Sequence, residues 1–370
     1  MKKWGLTERL SGAIMKPTKT IKFLSREKAG TAMVTITDIS KACGVSRATV
    51  SKALNGAADI SQETAKRIRE TAAALGYLPN AAARALKLGR SYNIGVLFSD
   101  ATGGGISHEY FSRILESVKA EAERLGYDIT FISKDLGKSS MDYYEHAKYR
   151  SCDGVVIASA DFHDPAIIRL ASSEIPTVTL DYSFDSRSSI LSDNVRGMEA
   201  LVRFVHSRGH RRIAFIHGEL TSVTQKRLAS FKKTCAALGL EIPAEYIRPA
   251  TYHDPRSSGL QTRALLALPQ RPSCILYPDD LSYLGGMSEL ERQGLSVPGD
   301  MSVAGYDGIP LSQVLRPRLS TYRQAGEQMG REAARLLIEQ IEQPDTWLPQ
   351  QITVEGELLE GDTVRDIRGQ

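Results

Sequence analysis

Residues 35–55, T-I-T-D-I-S-K-A-C-G-V-S-R-A-T-V-S-K-A-L-N, admit few folds. Two short helical patterns flank Gly44-Val45-Ser46. Thr37 can cap the first, with Ile39 and Ala42 facing inward. Gly44 suits the left-handed position that ends a helix, and Ser46 can cap the helix that follows. In that second helix Val50, Ala53 and Leu54 form an inward stripe, and Arg47, Ala48, Ser51 and Lys52 an outward one. A helix braced like this, with basic and small residues on its free face, fits a DNA major groove. A hairpin with merely solvated charges would look the same in isolation; the rest of the chain separates the two readings.

Charge is the first discriminator. Residues 1–90 hold 17 Lys/Arg and 6 Asp/Glu, a net of +11, whereas the remainder holds 30 and 37, a net of −7. A basic head on an acidic body suits a polyanionic partner for the head alone. Four scattered cysteines, Cys43, Cys152, Cys235 and Cys274, form no C-x-x-C pair. They suit a reducing cytoplasm rather than a zinc site or a disulfide framework. No apolar run approaches the ~20 residues of a membrane span, and residues 1–32 lack the apolar core of a secretory signal. With 8 basic and 2 acidic residues, 1–33 reads as a disordered basic extension, or as upstream translation before Met33.

The chain then divides in order. Ser61 caps a third helix carrying Ala65, Ile68, Ala72 and Leu75 at helical spacing, and Gly76 ends it. This completes a headpiece over 34–79. Residues 80–90 follow as a two-turn helical segment and linker, too short to be stable alone. Its Leu86 could wedge between base steps in the minor groove. From Ser91 strands and helices alternate in two series, which implies two lobes with parallel sheets and a ligand cleft at the strand ends. Strands are expected at 94–98, 129–132, 155–158, 177–180, 213–216, 274–277, 301–306 and 352–355.

The motifs D-I-S-K-A-C-G-V-S-R-A-T-V-S-K-A-L-N, L-G-Y-L-P-N-x-x-A-R-x-L and S-V-A-G-Y-D resemble the lactose-repressor (LacI/GalR) family of bacterial transcription regulators, over about 34–357. The resemblance implies an α/β fold class: a three-helix helix-turn-helix headpiece, a hinge helix, and a two-lobed body like the periplasmic binding proteins. The N-lobe would span about 91–191 and 323–350, and the C-lobe about 192–322 and 351–360. It also implies a homodimeric, cytoplasmic repressor that binds double-stranded operator DNA under allosteric control by a sugar or related polyol. No cofactor, metal or catalytic residue is expected.

By position, Arg47, Ala48 and Lys52 would face bases. Thr35, Ser46, Thr49, Ser51, Asn55 and Ser61 would hold phosphates. Asn80, Ala83 and Leu86 would form the hinge contacts. Asp181, Arg227, Asp279, Asp307 and Gln324 match effector-cleft positions, and Phe98 could pack on a sugar's C–H face. Carboxylates and a guanidinium converging on one cleft suit neighbouring hydroxyls. Two rivals are weaker. A transport protein would need neither the basic headpiece nor the hinge. A sugar-acting enzyme could use Asp181 and Asp307 as an acid/base pair, but no nucleophile motif or phosphate-binding loop accompanies them. The tail after Glu357 has no heptad repeat, so a tetramer is not expected.

Overall fold

Thr35 starts the first helix two residues earlier than Thr37, which lies inside it. The Thr35 backbone N–H and hydroxyl both donate to the Asp38 carboxylate, at 2.9 and 2.7 Å, and the Asp38 N–H donates back to the Thr35 carbonyl at 3.0 Å; this reciprocal arrangement out-competes a cap at Thr37. The structure, a computed structural model, describes residues 33–78, 85, 89–99, 106, 108–137 and 139–369. It falls into two units, Met1–Ala81 and Ala82–Gln370.

The first unit contains α1 (Ile36–Cys43), α2 (Arg47–Leu54) and α3 (Gln62–Ala74). Gly44, at φ 65°, ends α1 in the left-handed conformation that glycine adopts without a Cβ penalty. The Ser46 hydroxyl accepts from the Thr49 N–H at 3.0 Å, and Ser61 accepts from the Thr64 N–H at 3.3 Å. Ile39, Val50, Ala53, Ala65, Ile68 and Ala72 form the buried core of the three helices. Complete burial of Ile39, Val50 and Ile68 contributes about 1.5–3 kcal/mol each. Ala42, expected inside, is exposed. Cys43, one position further round the helix, packs against the core instead.

The second unit is built on two six-stranded sheets among the described residues. The first contains β1 (Asn93–Phe98), β2 (Asp128–Ile132), β3 (Gly154–Ser159), β4 (Thr177–Leu180), β5 (Ser188–Ser192) and β11 (Gln351–Val354). The second contains β6 (Ile213–His217), β7 (Ile247–Pro249), β8 (Cys274–Leu276), β9 (Ser302–Asp307), β10 (Ser320–Arg323) and β12 (Glu357–Leu359). Strand orders are β11-β5-β4-β3-β1-β2 and β12-β10-β9-β8-β6-β7. All neighbours are parallel except β12, which runs antiparallel to β10.

Helices α4 (Glu109–Arg124), α5 (Tyr143–Tyr149), α6 (Pro165–Ser172) and α12 (Gly326–Glu342) cover the first sheet. Helices α7 (Asn194–Ser207), α8 (Ser222–Ala237), α9 (Pro255–Leu266) and α10 (Asp280–Arg292) cover the second, and the short α11 (Pro310–Val314) follows β9. Strand alternation divides each sheet between two cores. Val96 and Val156 join Ile114, Val118 and Leu337 on one face, and Leu97, Val155 and Ile157 join Ala147 and Leu170 on the other. Phe215 and Leu276 likewise face Phe231, whereas Ile216 and Ile275 face Leu265 and Leu290.

The chain passes between the lobes three times: between β5 and α7, between β10 and α12, and between β11 and β12. The last passage corrects the expected boundary. Residues 351–354 pair with Ser189–Ser192 in the first sheet, so the crossing comes at Glu355-Gly356 and not at 351. An edge strand added from the far end of the chain is set by this pairing, which residue pattern alone does not encode. Ion pairs Arg196–Glu355 and Arg323–Glu357 brace the crossings. Ile309, contributed by the second lobe, is buried in the core of the first.

Candidate functional site

Two sites are built, one in each unit. On α2 of the first unit Arg47, Ala48 and Lys52 are exposed, and Thr49 and Ser51 half-buried. Thr35, Ser46, Asn55 and Ser61 lie exposed at helix ends, where their side chains also serve as caps. The Asn55 amide donates to the Ser51 carbonyl at 2.7 Å. Lys52 forms an ion pair with Asp59, whose carboxyl the lysine hydrogen bond holds below its ordinary range. The sequence reading did not include that pair. Asp59 thus competes with any other acceptor for the lysine. Asn80, Ala83 and Leu86, assigned to the hinge, lie outside the described residues, as do 1–32.

In the second unit the sequence-assigned cleft residues meet where the two lobes face each other. Asp181 ends β4 and Asp307 ends β9, both with positive φ, at 55° and 98°. Such backbone costs of order 1 kcal/mol or more in a non-glycine residue, and it collects at functional sites. The Asp181 carboxylate accepts from the Ser192 N–H at 2.7 Å and its hydroxyl at 3.1 Å. Burial pushes its pKa up, and those two hydrogen bonds oppose the shift. Its carbonyl accepts from Ser222 of the other lobe at 2.9 Å.

Arg227, on α8, is buried. It donates to Asn194 Oδ1 at 2.7 Å and to the Pro278 carbonyl at 3.0 Å. Its guanidinium carbon lies 3.5 Å from the centre of the Tyr306 ring, a close cation–π contact. Desolvation works against its charge, and the surrounding Tyr252, Tyr306, Asp307 and Asp181 retain it. Gln324, at the second crossing, donates to Asp307 Oδ1 at 2.7 Å. Tyr110, Asp307 and Gln324 also border an open cavity of about 490 Å³ that extends along the crossings.

Asp279 departs from its expected place as a ligand contact. It has no exposed surface. It caps α10, accepting from the Ser282 N–H and hydroxyl, both at 2.7 Å, and from the His253 N–H at 3.0 Å. A buried carboxylate whose oxygens are so committed supports the cleft wall and has little left for a ligand. Although burial favours its neutral form, the His253 and Ser282 contacts hold its pKa below the ordinary range. Asp280 beside it behaves oppositely: burial, and then the nearby Asp307, push its carboxyl well up. Its carboxyl is a structural link, accepting from the Thr321 hydroxyl at 2.6 Å and the Ile309 N–H at 2.9 Å.

Phe98 is half-buried and packs on Phe111, with ring centres 5.0 Å apart. From Phe111 an aromatic series runs across the cleft: His108 at 5.6 Å, then His253 at 3.6 Å from His108. A second cluster, in which Tyr182 stacks on Phe162 at 4.4 Å, stands beside Asp181. His108, His253, Asn194 and Tyr252 were not singled out from the sequence. Lone histidines without a fixed spacing carry no signal until the fold brings 108 and 253 together.

Both units have counterparts in known proteins. Residues 35–80 match the family model described as bacterial regulatory proteins, lacI family, and 202–364 match the periplasmic binding protein-like domain. The chain is 32% identical to the probable HTH-type transcriptional repressor ExuR of Bacillus subtilis (strain 168) over 338 residues, covering 90% of this chain and 99% of the relative. It is 28% identical to the HTH-type transcriptional repressor PurR of Vibrio cholerae serotype O1 over 341 residues, covering 90% and 99%. The lac repressor dimer bound to operator and the anti-inducer ONPF superposes with a TM-score of 0.77 at 26% identity, covering 90% of this chain and 100% of that one. The fold is shared with the transcriptional regulator CelR in its cellobiose complex, at TM-score 0.65 and 24% identity over 89% and 99% of the two chains. A helix-turn-helix headpiece joined to a two-lobed ligand cleft, with homology over nearly the whole length, shows that this chain belongs to the lacI family of bacterial regulatory proteins.

Proposed function

We propose that the protein is a homodimeric transcriptional repressor whose operator affinity is set by a sugar or related polyol held between the lobes. The observation that carries this reading is the convergence of Asp181, Arg227, Asn194 and Asp307 at facing strand and helix ends. Carboxylate, amide and guanidinium groups suit paired hydroxyls, and Phe98 and Phe111 supply an apolar face. The lac repressor, a solved relative, is a dimer bound to operator and the anti-inducer ONPF.

Exposed Arg47, Ala48 and Lys52 on α2 face base edges in this reading. Thr35, Ser46, Thr49, Ser51, Asn55 and Ser61 hold phosphates, which position the head without reading sequence. Asn80, Ala83 and Leu86 act as the hinge. Ligand binding changes the closure of the lobes, and closure changes the spacing of the two hinges across the dimer. The ligand shifts operator affinity only by its differential affinity for the two states. The groups in the cleft bind and orient the ligand.

A thermal-shift screen of the full chain against sugars and sugar phosphates, followed by gel shifts on DNA sites selected from a random pool, tests the reading. A stabilising polyol that alters a sequence-specific shift is the expected result. Absence of any preferred DNA site, with or without ligand, would contradict it.

A further inference from the structure

The two histidines have no place in the polyol reading, and their arrangement has a chemistry of its own. His108 precedes α4 in the first lobe, whereas His253 and Asp307 belong to the second. One nitrogen from each imidazole and one Asp307 oxygen lie within 4.8 Å of one another. His108 and Asp307 are buried, and the His253 side chain is only 15% exposed. We propose that His108, His253 and Asp307 form a site for a divalent transition-metal cation, such as Zn²⁺ or Co²⁺, that bridges the lobes.

Three features support it. First, two imidazoles and one carboxylate are a donor set that first-row divalent cations accept, and it leaves coordination positions open. Second, His253 Nδ1 lies 3.5 Å from Asp279 Oδ1. A carboxylate behind the outer nitrogen orients an imidazole and raises its basicity, the usual support for a metal-bound histidine. That gives the fully buried Asp279 a function beyond capping α10. Third, the Asp181 and Asp307 side chains lie near the Arg227 guanidinium, and that guanidinium is already engaged with Tyr306, Asn194 and the Pro278 carbonyl.

The span of the donor atoms also matters. Tetrahedral zinc with bonds of about 2.0–2.1 Å needs ligand atoms roughly 3.4 Å apart. The donors lie within 4.8 Å of one another and the His108 and His253 rings are already 3.6 Å apart centre to centre, so a cation must re-space side chains contributed by both lobes. Vicinal hydroxyls of a polyol could fill its open positions; only that last step depends on the polyol reading.

The test uses the full-length chain without a histidine tag, and the metal alone. Calorimetric titration with Zn²⁺ or Co²⁺ should show one cation per chain. His108→Gln and His253→Gln should each weaken it at least about tenfold, and His163→Gln, at an exposed site, should leave it unchanged. Melting curves without metal establish that the variants fold. Should one fail to fold, anomalous diffraction from zinc-soaked wild-type crystals replaces it, with a peak expected between the three side chains. No binding, undiminished binding in His253→Gln, or a peak elsewhere would overturn the site, whatever the sugar screen shows.

Discussion

Lys52 on α2 is paired with Asp59, in the turn that leads to α3, so its ammonium is already neutralised before any nucleic acid arrives. Both side chains are more than half exposed, and a pair of that kind contributes at most about 1 kcal/mol. A guanine edge or a phosphate can outbid it.

Lys52→Ala should weaken binding to the preferred operator more than to random DNA, by about 1–3 kcal/mol on the specific site. Asp59→Asn, which releases the lysine, should raise affinity for random DNA. Fluorescence anisotropy at fixed salt checks both. An equal loss on both DNAs for Lys52→Ala would reassign the lysine to phosphate contact.

Arg227→Met should remove the response to ligand while leaving a folded, operator-binding protein. The variant strands Asn194 Oδ1 and the Pro278 carbonyl and loses the Tyr306 ring contact. A destabilisation of about 2–3 kcal/mol is expected. Chemical denaturation and ligand-dependent anisotropy together separate a lost ligand contact from a lost fold.

Glu289 predicts the acid limb of stability. Arg292 and Arg263 grip its buried carboxylate and hold its pKa at about 2. A carboxyl with a depressed folded pKa stabilises the fold above its unfolded value, and that contribution is lost as pH falls through the folded value. It is therefore present above about pH 4.5 and disappears on the way to about 2. Glu289→Gln should lower the urea midpoint at neutral pH and show a shallower decline between pH 5 and 3 than wild type. Parallel declines would show that Glu289 does not contribute.

The headpiece was largely legible because its turn chemistry is local: Gly44, Ser46 and Ser61 act within four residues of themselves. The first cap was placed two residues late, at Thr37 and not Thr35, because two threonines compete and only Asp38 decides between them. Strands β5, β7, β10 and β12 were missed. Ser188–Ser192 is fully buried yet reads S-S-I-L-S, so burial comes from its place in the sheet and not from its composition. In the cleft, Asp181, Arg227, Asp307 and Gln324 lie together as expected from their positions. Asp279 went to a helix cap, and the His108–His253 pair was invisible because it joins residues 145 positions apart in the chain across two lobes.

The central claim is a linkage between the cleft and the operator. Its most direct measurement is operator affinity, by anisotropy at one salt concentration, with and without a saturating polyol found by thermal shift. The account predicts a change of at least about fivefold, and an equal factor in polyol affinity when operator is bound first. A polyol that saturates the cleft and leaves operator affinity unchanged would contradict it.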